Sequence, residues 1–243
     1  MLRLRAFIDW HAFRGHAIQI TPPTNIGVRN YLVRMGAFDD LPDGCSCDAG
    51  AVIGTNKKDV LVELTRMTNP TEVEELDYQL QDLLGAHFPG NSARLAAAFM
   101  VATGELTDNA TTHGRNDVGA YVAAQRYQTT RCVLAIGDLG VGIPAHMRAA
   151  YPELVDDGLA ILEATKEGVT AAEVGERKHR GIGYATMIDK MVQTSVAQGS
   201  LRVWSGHGRL ELDVQGGEVV KRDTHTVERE TVGTWIRVEL MTV

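Results

Sequence analysis

The end of the chain alternates apolar and polar residues in three runs, SLRVWSG, GRLELDVQGG and GTWIRVELM, with glycines between them. A period of two broken by glycine marks half-buried strands joined by turns. Upstream the spacing is helical. Val73, Leu76, Leu80 and Leu83 follow an Asn69-Pro70 start, and Leu95, Ala98, Phe99, Ala102, Leu106 and Ala110 follow Asn91. Two strand-like runs, GAYVAAQRYQ and RCVLAIGDL, come next. A Pro-broken, Gly-dotted, charged section at 144–180 then surrounds one expected helix, DDGLAILEATK, before a further helical run, RGIGYATMIDKM. This order lacks the strict alternation that a doubly wound parallel sheet needs. It predicts an α+β fold, a two-layer sandwich with helices on one face of a sheet.

The first 43 residues read as helix, strand, helix: Leu4, Phe7, Ile8 and Phe13 at helical intervals up to Gly15, then AIQI, then NIGVRNYLVRMG ending at Gly36. Residues 44–58 show no period and are rich in Gly, Asp and Cys, which predicts a linker. A strand, VLVELTRM, opens the main unit. The expected organisation is therefore a small α/β segment at 1–43, a linker at 44–58 and one larger domain at 59–243.

Bulk properties narrow the function. With 243 residues and 44% hydrophobic content the chain supplies a core. Its net charge of −7, with both signs scattered, offers no basic stripe for nucleic acid and no polybasic run for acidic lipid. The apolar stretch LAAAFMVATG is far shorter than the roughly 18 residues that suggest a membrane span, so a cytoplasmic protein is expected. Three cysteines do not make a disulfide framework; Cys45 and Cys47 are expected as loop thiols and Cys132 as a strand thiol.

Four features carry chemistry together that none carries alone. In GELTDNATTHG, Glu105 and Asn109 lie four residues apart on a helix and point the same way, roughly 40° apart around the axis. In LAIGDLGVGIP, a strand ends in Asp138 and is followed by Gly140 and Gly142; an aspartate buried there needs donors, and alternating glycines let backbone pass close to a planar ligand. In HRGIGYATM, Gly181 and Gly183 open a helix behind Lys178, His179 and Arg180, a pattern suited to anions. Gly233-Thr234 begins the last strand.

In this order the four resemble the GHKL (Bergerat-fold) ATPases, and among them stand-alone ATP-binding proteins and anti-sigma-factor serine kinases. ELTDNATTHG, DLGVGIP and RGIGYATM carry the likeness, over about residues 59–243. The resemblance implies a mixed sheet with helices on one face, and ATP and Mg²⁺ as ligands. Asn109 would ligate Mg²⁺ with the nucleotide phosphates, and Glu105 would orient or deprotonate the attacking group. Asp138 would accept from the adenine amino group with Gly142 giving the base room, Gly181 and Gly183 would present amides to the phosphates, Thr234 would help hold adenine, and Gly140 and Arg180 would belong to the same ATP-binding set. Residues 150–180 would form a mobile lid.

The implied activity is that of a protein serine kinase or an ATP-dependent switch acting on a partner protein in bacterial signalling. Ala185 and Tyr184 depart from the glycine and leucine usual in the second glycine box. That favours an alternative, a nucleotide-binding module that regulates without phosphotransfer. His113, at the end of the helix, reads as a packing residue. The first 43 residues resemble the second half of a STAS domain, or else form an unrelated extension packed on the larger domain. The resemblance implies a STAS-type or other regulatory partner, and a half-sheet with an open edge would suit a homodimer.

Overall fold

The computed structural model describes residues 1–50, 57, 59–87, 118–127, 131–166, 188–189, 192 and 198–241. An N-terminal βαβ unit comes first: helix α1 (Leu2–Phe13), strand β1 (Ile18–Ile20), helix α2 (Ile26–Arg34) and strand β2 (Cys45–Cys47). Each element starts and stops where its residues dictate. Asn25 caps α2 by accepting the Val28 N–H, and the chain leaves α1 and α2 through Gly15 and Gly36 at positive φ. Strands β1 and β2 pair in parallel, Ile18 opposite Cys45 and Ile20 opposite Cys47. The expected linker thus supplies a strand, and Cys45 and Cys47 lie in it rather than in a loop. A three-residue strand is too short to show a period.

The main sheet has the order β3-β4-β5-β7-β6, with β3 (Val60–Met67), β4 (Ala120–Tyr127), β5 (Arg131–Asp138), β6 (Gln198–Gln215) and β7 (Glu218–Met241). Helix α3 (Pro70–His87) opens with a reciprocal cap: Asn69 accepts the Glu72 N–H, and the Glu72 carboxylate accepts the N–H groups of Thr68 and Asn69. Helices α4 (Ile143–Ala150) and α5 (Asp157–Ala164) follow β5. The fold is the expected α+β class. Every described pair in this sheet is antiparallel, however, where a mixed sheet was implied. The short connections from β4 to β5 and from β6 to β7 leave no room for a parallel crossover in those two pairs.

Two of the three expected C-terminal strands are one. Gly206, at positive φ, absorbs a bulge inside β6 instead of turning the chain, and the true turn is Gly216-Gly217, both at positive φ. The outgoing strand then runs through EVVKRDTHTVERET, a polar stretch with no strand alternation because it is solvent-facing along most of its length. Pro144, read as a breaker, sits in the first turn of α4, where a missing N–H costs nothing.

The core has two parts, one on each face of the sheet. On one face Leu134, Ile136, Leu201, Val203, Leu210, Leu212, Ile236 and Val238 meet Leu76 and Leu80 of α3 and Ile161 of α5. On the other, Leu2 and Ala6 of α1 and Met35 pack on Val118, Tyr121, Ala123 and Trp235. The helices of the larger domain thus lie on one face, as expected, and α1 of the N-terminal segment covers the other. The second face was available because Tyr121, Ala123 and Trp235 make it apolar; α1 removes it from water.

The N-terminal segment is also tied in by polar contacts. Arg5 donates to Asp9 Oδ1 at 2.9 Å and to the carbonyls of Asp39 and Asp40 at 2.6 and 2.7 Å, and Tyr121 donates its hydroxyl to Asp9 Oδ2 at 2.8 Å. The Leu64 N–H donates to the Met35 carbonyl. Among the described residues no helix is long and apolar enough to cross a membrane.

Candidate functional site

Strand β5 places Cys132, Leu134, Ile136 and Asp138 on the α3–α5 face by simple alternation. Burial pushes the Cys132 thiol up to about 12, so this strand thiol is inert. Asp138 ends the row and is 5% exposed. Its Oδ1 accepts the Gly140 N–H at 2.6 Å, and the Thr234 N–H also points to the carboxylate. Burial outweighs both donors, and the carboxyl is pushed up to about 6.

Cross-strand register extends this into a polar line. Gly137 pairs with Trp235, one residue beyond Thr234, and Thr234 pairs with Ser205 on β6. Asp138, Thr234 and Ser205 thus stand side by side on three adjacent strands, all buried. Ser205 Oγ lies 3.1 Å from Thr234 Oγ1, donates to the Gly233 carbonyl at 2.8 Å and accepts the Ile143 N–H at 2.9 Å. That last bond fixes the start of α4 against the end of the sheet.

The glycines here serve the protein's own packing. A Cβ on Gly142, which sits at φ 79°, would meet Ser205 Oγ at 2.6 Å, and one on Gly233 would meet the Asp138 carbonyl oxygen at 2.0 Å. Gly142 therefore has an intramolecular reason to be glycine, whatever it offers a ligand. Behind the line, a Cβ on Gly137 would meet the Trp235 ring at 2.1 Å, and Arg3 of α1 lies 5.4 Å from that ring's centre. The N-terminal helix backs the site from the far face.

The segment expected to be a lid is in part firmly held. Asp156 caps α5, accepting from the Leu159 N–H at 2.8 Å and the Thr226 hydroxyl at 2.8 Å. Asp157 accepts from Arg148 at 2.5 Å and from the His207 N–H at 2.6 Å, and Ile161 is fully buried. Gly158, Ala160 and Ile161 bury one face of this helix in the core, which corrects the lid reading over 157–164, while Leu159 on its outer side is exposed; Gly208 lets β6 approach the helix backbone at Asp157 closely.

Of the residues singled out by sequence, Asp138, Gly140, Gly142 and Thr234 come together. Glu105, Asn109, Arg180, Gly181 and Gly183 lie outside the described residues. Ser205 was missed. Its signal was there: Leu201 and Val203 set an inward period of two, and Ser205 is a polar residue on that inward row.

Fold and site define an α+β sandwich with a buried carboxylate at the end of a central antiparallel strand. No protein-family model matches the chain, and no curated protein matches it. Among solved structures, a chain of the SiaB-SiaC complex from Pseudomonas aeruginosa is similar, with a TM-score of 0.39 and 15% identity over 76% of this chain and 91% of that one. The B-subunit of the DNA gyrase from Myxococcus xanthus is similar with a TM-score of 0.35 and 9% identity, over 69% of this chain and 43% of that one.

Proposed function

We propose that this chain is an ATP-binding regulatory protein of the GHKL class, acting as a protein serine kinase or ATP-dependent switch on a partner protein. The observation that carries the reading is the buried Asp138 beside Thr234 and Ser205. An ionised carboxylate offers about four acceptor positions, and two backbone donors occupy only part of that capacity. A donor such as an exocyclic amine satisfies the remainder, with the Thr234 hydroxyl alongside. The residues present fit an adenine in this respect.

The remaining roles follow from the sequence motifs. Asn109 supplies an amide oxygen to a hard cation, as Mg²⁺ prefers, and Arg180 with the Gly181-Gly183 backbone supplies donors to phosphate. ATP with Mg²⁺ provides the transferable phosphoryl group. Glu105 takes the proton from an attacking hydroxyl or water. The partner is a STAS-type or other regulatory protein, and self-association through the N-terminal segment belongs to the same proposal. The test is a thermal-shift titration with ATP and Mg²⁺. At a hundredfold its dissociation constant ATP adds roughly 2.7 kcal/mol. A stabilisation that is lost in Asp138→Asn supports the reading; no stabilisation in the unsubstituted protein sinks it.

Ala185 and Tyr184 favour the second reading, binding without phosphotransfer. Phosphate release or transfer measured with Asn109→Ala as the control separates the two. ATP binding without Mg²⁺-dependent turnover selects the second.

A further inference from the structure

We infer that a second ligand site, for a small oxyanion, lies at the opposite end of the sheet from Asp138. Asp138 pairs with Ala120, and seven residues further along β4 Tyr127 pairs with Arg131, a distance of about 24 Å at the usual rise of a strand. There the last turn of α2, the approach to β3, the end of β4, the start of β5 and the end of β7 border an open cavity of about 440 Å³. Arg34, Asp59, Gln125, Arg126, Tyr127 and Arg131 line it.

Three guanidinium groups meet two carboxylates, Asp59 of the lining and Glu239 beside it, which leaves one positive charge in excess. Arg126 pairs with Asp59 at 3.0 Å, and Arg131 pairs with Glu239 of β7 at 2.5 Å. Arg34 has no ion pair among the described residues; its guanidinium lies 5.6 Å from the centre of the Tyr31 ring, and its Nε is buried without a hydrogen-bond partner. Gln125 is 5% exposed, yet its Oε1 has no partner either. Native proteins rarely leave such atoms unpaired, and Arg34 Nε and Gln125 Oε1 both belong to residues that line this one cavity.

Their chemistry names the ligand class. A planar guanidinium suits the paired oxygens of a phosphate or carboxylate, and excess positive charge at the cavity favours an anion. Near neutral pH a phosphate also carries a hydroxyl that can donate to Gln125 Oε1, and the amide can rotate to donate instead. The site sits where α2 of the N-terminal segment meets the main sheet, so an anion held between Arg34 and Gln125 bridges the two. This inference does not depend on nucleotide binding at Asp138.

The test is titration of the full chain with inorganic phosphate, and in a second arm with acetate, at constant ionic strength. The readout is the arginine side-chain Nε–H resonances, with Arg34 assigned by its disappearance in Arg34→Lys. The expected result is a saturable shift of the Arg34 resonance. It weakens by about tenfold or more in Gln125→Glu, which keeps the shape and adds a repelling charge, while the thermal response to ATP is unchanged. Stronger binding in the phosphate arm identifies phosphates or their esters, and stronger binding in the acetate arm identifies carboxylates. A shift equal to that given by chloride, no saturation, or equal affinity in Gln125→Glu overturns the inference.

Discussion

Tyr121 and Asp9 are 112 residues apart in the chain and hydrogen-bonded at 2.8 Å inside it. Asp9 holds Arg5 with its other oxygen, and Arg5 in turn closes on the carbonyls of Asp39 and Asp40. Desolvation and the nearby Asp9 raise the Tyr121 hydroxyl well above its ordinary range, so it stays a donor. Removing one member of such a buried ionic cluster strands the others. Asp9→Ala is expected to cost about 3–5 kcal/mol in a urea titration, whereas Tyr121→Phe, which leaves the Arg5–Asp9 pair intact, costs about 1 kcal/mol. Equal losses in the two would contradict this account. For the same reason a chain lacking residues 1–43 is expected to aggregate, since Tyr121 and Trp235 would be uncovered.

Asp138 makes stability fall as pH rises from about 4 to about 6. Its folded-state carboxyl is pushed up to about 6 from an ordinary 3.8, so between those values the folded chain holds the extra proton. A state that binds more protons loses ground as protons become scarce, here by on the order of 2–3 kcal/mol across the window. Asp138→Asn keeps an acceptor for the Gly140 N–H and carries no charge, so this component is absent in it. Urea titrations of both proteins at pH 4 and pH 7 check the difference, and an identical pH dependence would refute it.

Gly137 lies under the Trp235 ring with no space for a methyl group. Gly137→Ala is expected to destabilise by about 1–3 kcal/mol, the usual cost of overpacking. Because Trp235 Nε1 donates to the Val232 carbonyl, the shifted ring should also change its fluorescence. An unperturbed spectrum with unchanged stability would show that the contact is slack.

The cap of α3 offers a separate check. Asn69→Ala removes the acceptor for the Glu72 N–H and is expected to cost about 1 kcal/mol. Glu72→Gln should cost less, because its amide oxygen still reaches the Thr68 N–H. Both are read from thermal or urea midpoints.

Much of this was legible without coordinates because it is decided within a few residues. Asn25, Asn69 and Asp156 cap helices through contacts three residues away, and Gly36 ends α2 by taking a positive φ. The row from Leu134 to Asp138 follows from a period of two alone. The gathering of Asp138, Gly140, Gly142 and Thr234 was expected only through the motifs, and register is what brings Thr234 to Asp138. Ser205 shows the limit: its inward place could be counted, but its partners on β7 and α4 could not. Gly206 reads as a turn until pairing with β7 makes it a bulge, and residues 157–164 read as a lid until Ile161 finds the core. What only the tertiary structure decided is which surfaces meet. The second apolar face of the sheet, the helix that covers it and the bond from Tyr121 to Asp9 arise from contacts between segments far apart in the chain, which no local pattern encodes.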